Sequence, residues 1–177
     1  MKIVHLSTTP AREVITAAIS TLKSGGLVVY PTETTYGIGA DATNQKAVDK
    51  LLQYKKRREG KPLSIAVFDQ SMAEIYVELN AAAKKVYTTF LPGPITVVSK
   101  SKGNVAKGVT SETGALGIRI PNYPLILQLI KAYGKPIAFA KKLTEKLLLK
   151  EMGMNAILPT REKCLLLPLR ALQHLSQ

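Results

Sequence analysis

Apolar and polar positions alternate along the chain in helical and strand-like patterns, and the first clear pattern covers residues 9–26. Its apolar positions recur at helical spacing and form one stripe: Ile15, Ala18, Ile19 and Leu22. Thr9 is the predicted N-cap, Pro10 suits the first helical position, and Gly25-Gly26 supplies a C-terminal stop. The pattern therefore predicts a helix over this stretch.

Shorter apolar runs between turn residues predict the remaining elements. Strands are predicted at 27–30, 63–68, 95–98 and 115–120, and another strand is predicted to begin at residues 135–138. Helices are predicted at 44–56 and 123–133, and residues 70–90 are predicted to form two short helices that break near Leu79-Asn80. This alternation without repeats is typical of a single α/β domain with a twisted sheet. The continuous apolar strand at 27–30 is expected near the centre of that sheet.

The composition changes near residue 138. The first 137 residues contain twelve Val, seven Tyr and three Asp, whereas residues 138–177 contain none of these and eleven Leu. We predict a domain core over residues 1–138 and a divergent Leu-rich segment over 139–177. This segment either packs on the sheet as one or two terminal helices, or is a replaced tail, for example after a reading-frame change. The sequence leaves both interpretations open.

Length and composition exclude several classes of protein. A chain of 177 residues that is 46% hydrophobic and 21% charged suits one globular domain with a sizeable core. No apolar run approaches the roughly 18 to 20 residues that a membrane span needs, and no apolar region typical of a secretory signal follows the first residues. One Cys and two His make a poor set of metal ligands. We therefore expect a cytoplasmic protein that does not act at a membrane.

Charge is the first indication of a ligand. The chain has 25 Lys and Arg against 12 Asp and Glu, which gives a net charge of +13. Such a field attracts polyanions, namely nucleic acid, nucleotide phosphates or acidic membrane surfaces. A basic surface can also serve solubility alone, so RNA binding is one of two interpretations.

Two segments combine residues that could carry chemistry. Residues 31–42 bring hydroxyls, a carboxylate and two glycines into what we predict to be one turn, where hydroxyls and backbone N–H groups could hold a carboxylate or phosphate. Residues 54–63 carry five positive charges and one negative charge. This basic segment is either a solvated helix end or a clamp for a triphosphate.

Arg119 is the third candidate, because it lies within an otherwise apolar strand, Gly117-Ile118-Arg119-Ile120-Pro121. A buried arginine needs an anionic partner, which either the protein or a ligand supplies. Arg119 is therefore a better site candidate than any surface lysine.

Four motifs together carry a resemblance to a known family. They are PTETTYGIGADA, Lys55-x-Arg57 with Lys61-Pro62-Leu63, LPGPIT and GIRIPNYP. Their order and spacing, over roughly residues 10 to 138, resemble the YrdC-like family, the threonylcarbamoyl-AMP synthases. The resemblance implies a twisted mixed α/β sheet around a deep basic cavity. It also implies a nucleotidyltransferase that forms threonylcarbamoyl-AMP from L-threonine, bicarbonate and ATP.

The resemblance also implies roles for single residues. Thr34 and Arg119 match positions that contact the threonine substrate. Lys55 and Arg57 match the catalytic element that faces the ATP phosphates, and Arg57 and Lys61 match nucleotide-contact positions. Mg²⁺ is expected with the nucleotide. The product serves threonylcarbamoyladenosine modification of tRNA, so the machinery that transfers the threonylcarbamoyl group to tRNA is an implied partner.

The chain departs from the family pattern near the composition change. The family has a Ser-Ala-Asn motif that contacts the nucleotide, whereas this chain reads Phe139-Ala140-Lys141-Lys142. Position 66 is Ala where some relatives have histidine. The departure predicts weak or absent turnover. The alternatives are a non-catalytic module that binds nucleotide or double-stranded RNA, and a truncated or frame-altered inactive remnant.

Overall fold

The fold is taken from a computed structural model that describes residues 2–32, 36–54, 62–143 and 163–167. Within these ranges five helices pack against one nine-stranded mixed sheet. The strands are β1 (Lys2–His5), β2 (Leu27–Pro31), β3 (Tyr36–Asp41), β4 (Ser64–Ala66), β5 (Val77–Glu78), β6 (Val97–Ser101), β7 (Ala115–Arg119), β8 (Ile137–Leu143) and β9 (Lys163–Leu167). The helices are α1 (Ala11–Lys23), α2 (Gln45–Tyr54), α3 (Gln70–Tyr76), α4 (Ala81–Phe90) and α5 (Pro124–Tyr133). The predicted mixed α/β class is confirmed.

The strand order is β1-β9-β2-β3-β8-β4-β7-β6-β5. The β4–β7 pair is parallel and the other pairs are antiparallel. All five residues of β2 are buried, as its apolar run predicts. β2 is an inner strand two places from the middle strand β8, which agrees with the prediction that it lies near the centre.

Helices cover both faces of the sheet and divide the core in two. On one face the buried residues of α1 and α5 pack with Val28, Tyr30, Ala66, Ile137 and Phe139 of the strands. On the other face, α2, α3 and Tyr87 of α4 pack with strand residues whose side chains point to that face, among them Val29, Ile38, Ile65 and Ile118. No helix in the described ranges is long and apolar enough to cross a membrane.

The first helix begins one residue later than predicted, at Ala11. Its N-cap is Pro10, which makes no side-chain capping hydrogen bond. Thr9 instead belongs to the turn after β1, where its N–H donates to the His5 carbonyl oxygen at 3.0 Å. The prediction of Thr9 as N-cap was therefore wrong.

The segment between residues 70 and 90 folds as predicted, with two short helices. Asp69 caps α3 by accepting a hydrogen bond from Met72 N, and Asn80 caps α4 by accepting one from Ala83 N, each at 2.8 Å. The two-residue strand β5 separates the helices. Helix α5 also ends as predicted, at Gly134 in the left-handed conformation.

Residues 36–41 form strand β3 rather than part of a single turn, so the prediction for segment 31–42 was wrong there. β3 pairs with β2 on one side and β8 on the other. Gly39 of β3 packs tightly against protein atoms. A side chain at residue 39 would bring its Cβ to 2.5 Å from Ile137 Cγ2 and 2.9 Å from Tyr30 Cε1.

We expect Gly39→Ala to lower the free energy of unfolding by about 1–3 kcal/mol, because the new methyl group overpacks the contact with Ile137 and Tyr30. Gly37→Ala is the matched control on the same strand, since its Cβ would lie 3.4 Å from Tyr30, an ordinary contact. Urea unfolding of both variants measures the difference. Equal stability of the two variants would contradict the close packing at residue 39.

Part of the Leu-rich segment is a strand. β9 lies between β1 and β2, and Leu165 is opposite Ile3 on one side and Val29 on the other. The helical interpretation is therefore wrong for residues 163–167. The division of the chain at residue 138 and the origin of the segment stay predictions.

Candidate functional site

Arg119 is the last residue of β7 and is 3% exposed, so the predicted burial of this arginine is confirmed. Its Nε donates a hydrogen bond to the Gly93 carbonyl oxygen at 3.2 Å. Gly93 N in turn donates to the Ile120 carbonyl oxygen at 2.9 Å. Two of the sequence motifs, LPGPIT and GIRIPNYP, are thus joined through both backbone and side chain.

Sheet register puts Arg119 beside small side chains. Leu116 and Ile118 of β7, and Ile120 directly after it, belong to one core, so Gly117 and Arg119 face the other side of the sheet. Arg119 is opposite Ala66 of the parallel strand β4, and Gly117 is opposite Ser64. A side chain at residue 117 would bring its Cβ to 2.8 Å from Ser64 Oγ. Residue 117 must therefore be glycine for Ser64 to pack this closely against β7, next to Arg119.

Thr34, Lys55, Arg57 and Lys61 all lie outside the described residues. One described range ends at Tyr54, the last residue of α2, and the next range begins at Pro62, two residues before β4. A shared cavity for the basic segment and Arg119 stays a prediction.

Asp41 is the second buried charged residue in the described ranges, and the sequence patterns did not single it out as a site. Its Oδ1 accepts hydrogen bonds from Thr43 N at 2.8 Å and Thr43 Oγ1 at 2.6 Å. Its Oδ2 accepts from Tyr133 Oη at 2.6 Å and Lys135 Nζ at 3.3 Å. The only sequence signal for this cluster is the Asp-x-Thr-Asn run before α2, which is typical of a capped turn.

Sheet register separates the two buried charges. Asp41 is opposite Ile137, which is opposite Ala66, which is opposite Arg119. Three strand spacings amount to about 14 Å, too far for an ion pair. Asp41 therefore does not neutralise Arg119.

The hydrogen bonds of Asp41 set its protonation. Burial alone would raise the pKa of Asp41, but hydrogen bonds from Thr43 and Tyr133 and the charge of Lys135 hold it below its ordinary value. Burial and the hydrogen bond to Asp41 raise the pKa of Tyr133. The cluster thus joins the start of α2 to the end of α5 through an ionised carboxylate.

We expect Asp41→Asn to lower the free energy of unfolding by about 1–3 kcal/mol at pH 7, since a charged acceptor of several hydrogen bonds is lost. A carboxyl whose folded pKa is depressed stabilises the fold above its unfolded pKa, and this contribution is lost as pH falls through the folded pKa. The difference between wild type and variant should therefore shrink below about pH 4. Exposed Asp49→Asn is the control, and a difference independent of pH would contradict this account.

Among the described residues, no group of three or more His, Cys, Asp or Glu side chains could hold a metal ion. Lys23 and Lys135 line a polar cavity of about 480 Å³ beside Asp41 and the start of α2. The cavity is near the Asp41 cluster rather than Arg119.

The fold and motifs agree with the comparison to known families. A family model described as "Telomere recombination", for the Sua5, YciO and YrdC proteins, matches residues 20–145. The chain belongs to this Sua5/YciO/YrdC family, so the predicted resemblance is confirmed.

Several relatives carry names that state an activity. A Methanocaldococcus jannaschii protein, provisionally named a threonylcarbamoyl-AMP synthase, is 39% identical over 129 residues, covering 73% of this chain and 61% of the relative. A Klebsiella pneumoniae threonylcarbamoyl-AMP synthase is 30% identical over 128 residues, covering 71% of this chain and 67% of the relative. The matches thus span about two thirds or less of the relatives' own lengths.

Two solved structures share the fold. P. abyssi Sua5 complexed with L-threonine superposes with a TM-score of 0.70 at 29% identity, covering 75% of this chain and 39% of Sua5. E. coli YciO superposes with a TM-score of 0.73 at 20% identity, covering 87% of this chain and 77% of YciO. The second likeness concerns the fold alone.

Proposed function

We propose that this chain is a nucleotidyltransferase that forms threonylcarbamoyl-AMP from L-threonine, bicarbonate and ATP. The observation that carries the proposal is the buried Arg119 at the end of β7, in a domain whose relatives are named threonylcarbamoyl-AMP synthases. A related structure contains L-threonine, which supports an amino acid as one substrate.

Arg119 is proposed to bind the carboxylate of L-threonine. The hydrogen bond from Nε to the Gly93 carbonyl oxygen fixes one edge of the guanidinium. The two terminal nitrogens form the opposite, planar fork, which suits a carboxylate better than the point charge of a lysine does. Thr34 is proposed to contact the same substrate through its hydroxyl.

The basic segment is proposed to bind the nucleotide. The threonine amine and bicarbonate first give a carbamate and water, and a carbamate oxygen then attacks the α-phosphorus while pyrophosphate leaves. Negative charge gathers on the phosphate oxygens during this step, and cations stabilise it without a covalent nucleophile. Lys55, Arg57 and Lys61 supply those cations, and Mg²⁺ is proposed to arrive with ATP as part of the substrate.

We expect Arg57→Ala to reduce turnover by more than tenfold, because loss of one charge-stabilising contact costs about 2.7–4 kcal/mol in comparable oxyanion sites. The assay is pyrophosphate release from ATP that requires both L-threonine and bicarbonate. Arg12→Ala is the matched control, since Arg12 is an exposed arginine on α1. If the two variants were equally active, Arg57 would have no role in turnover.

A second candidate is a module that binds L-threonine, nucleotide or double-stranded RNA without catalysis. It is favoured by the sequence of strand β8. This strand reads Phe139-Ala140-Lys141-Lys142 where the family pattern has the Ser-Ala-Asn motif. We propose that this replacement makes turnover lower than in the Klebsiella relative. Binding of L-threonine without any pyrophosphate release would favour the module.

The partners follow from the proposed reaction. The product would pass to the machinery that transfers threonylcarbamoyl to tRNA, and we propose that the chain acts in the cytoplasm. The net charge of +13 supports direct RNA binding. Binding of a short double-stranded RNA that weakens steeply with salt would support that role.

A further inference from the structure

At one edge of the sheet, the short strand β5 pairs with only part of β6. Strand β5 has two residues, and its pairing with β6 stops at Glu78 opposite Lys100. In the described part of the chain, no strand pairs with the outer side of residues 97–99. An edge of this kind offers backbone donors and acceptors to another extended segment.

Hydrogen bonds around β6 identify which backbone groups face outward. Ser101 N donates to the Gly114 carbonyl oxygen, on the β7 side, at 2.9 Å. Lys102 N donates to the Tyr76 carbonyl oxygen, on the β5 side, at 2.8 Å. Because successive amides of a strand point to opposite sides, the amide and carbonyl of Val98 face the open edge.

An apolar groove lies beside this edge, between β6 and α4, with a volume of about 600 Å³. Its apolar lining is Leu79, Ala82, Ala83, Val86, Val97 and Val98. The Val98 side chain is 65% exposed, more than any other large hydrophobic residue in the described ranges. A strand added at the edge would alternate its side chains between α4 and Val98 and cover both.

Charge indicates the chemistry of the occupant. Of the charged residues, Glu78 and Lys100 line the groove. The elements that flank it carry Lys84 and Lys85 on α4, Glu74 on α3, and Lys102 just after β6. Glu74 pairs with Lys84 and Glu78 with Lys100, each at 3.2 Å, so these lysines outnumber the glutamates by two. The chain carries +13 overall, which opposes pairing with a second copy and favours an acidic partner.

We propose that the β6 edge binds an extended segment of a partner protein by strand addition. The segment is apolar at alternate positions and acidic at its ends. Its backbone pairs with Val98, and its apolar side chains fill the groove beside α4. This interaction surface is independent of the proposed enzymatic function.

Two pools of fluorescein-labelled nine-residue peptides test the proposal by fluorescence anisotropy. Both pools have Val, Ile or Thr at alternate positions, and one has Asp and Glu at its ends where the other has Lys. The acidic pool should bind at least tenfold more tightly than the basic pool. Val98→Pro, which removes the outward amide of an edge strand, should weaken that binding at least tenfold, whereas Val98→Thr should change it less than twofold.

Hydrogen exchange on the unmutated chain keeps the test independent of how Val98→Pro folds. Saturating acidic pool should slow exchange of the Val98 amide at least tenfold. Equal binding of both pools, full binding by Val98→Pro, or unchanged Val98 exchange would overturn the proposal. It would also be overturned if the chain alone self-associated and thereby protected Val98, because the occupant would then be a second copy.

Discussion

Arg119→Ala is expected to raise the KM for L-threonine about a hundredfold, with a smaller change in kcat. Two hydrogen bonds to a charged carboxylate are worth about 3 kcal/mol together, and each 1.4 kcal/mol corresponds to about tenfold in affinity. The larger effect falls on KM because the proposed contact is to the amino acid rather than to the reacting phosphate. Calorimetry with L-threonine measures the same loss without requiring turnover.

Arg119→Lys separates charge from geometry. Lysine keeps a positive charge but lacks the planar fork, so its affinity for L-threonine should fall between wild type and Arg119→Ala. Arg12→Ala serves as the matched control for removal of an arginine. The free energy of unfolding of each variant must be measured as well, because Arg119 also holds the Gly93 loop. If Arg119→Ala bound L-threonine as tightly as Arg12→Ala, the assignment of Arg119 would fail.

The second large effect is expected on stability, from Leu165→Pro. Leu165 lies in β9 with paired strands on both sides, opposite Ile3 and Val29. Proline has no N–H and is excluded from central strands, so the substitution should cost about 3 kcal/mol or more. Leu165→Val should cost less than about 1.5 kcal/mol, because a β-branched side chain suits a strand. Urea unfolding compares the two.

This pair of variants also tests whether the Leu-rich segment belongs to the fold. If Leu165→Pro were as stable as Leu165→Val, residues 163–167 would contribute nothing to the sheet.

Sequence patterns predicted those elements whose signals are local. The amphipathic stripe of α1, the glycine that ends α5 and the break between α3 and α4 depend on neighbouring residues, and the structure contains all three. Strand β3 was missed because Gly37 and Gly39 are typical of turns. At Gly39 the cause is instead packing against Tyr30 and Ile137, and Ile137 is distant in sequence.

Strands β1 and β9 were missed for a related reason. β9 has no alternation between apolar and polar residues, and it becomes a strand through pairing with β1 and β2, more than 130 positions earlier. Single-residue patterns do not contain that long-range information.

The candidate site likewise has features that neighbouring residues predict and features that depend on residues distant in sequence. Burial of Arg119 follows from an arginine within an apolar strand, and it was predicted from the sequence. The contact of Arg119 with Gly93 depends on how the Gly93 loop packs against the end of β7. In the Asp41 cluster, only the contact with Thr43 is local and follows from the Asp-x-Thr-Asn run. Tyr133 and Lys135 are more than 90 positions away, so no local pattern indicates their part of the cluster. The roles of Thr34, Lys55, Arg57 and Lys61 come from the family resemblance and stay predictions.

The proposed function is tested most directly with labelled bicarbonate. The chain is incubated with MgATP, L-threonine and ¹⁴C-bicarbonate, and the nucleotide products are separated by chromatography. The account predicts a labelled product that comigrates with threonylcarbamoyl-AMP and requires both ATP and L-threonine. In Arg119→Ala its formation should fall strongly at low L-threonine and recover at high L-threonine, as a raised KM requires. Absence of this labelled product from a folded chain that binds both substrates would contradict it.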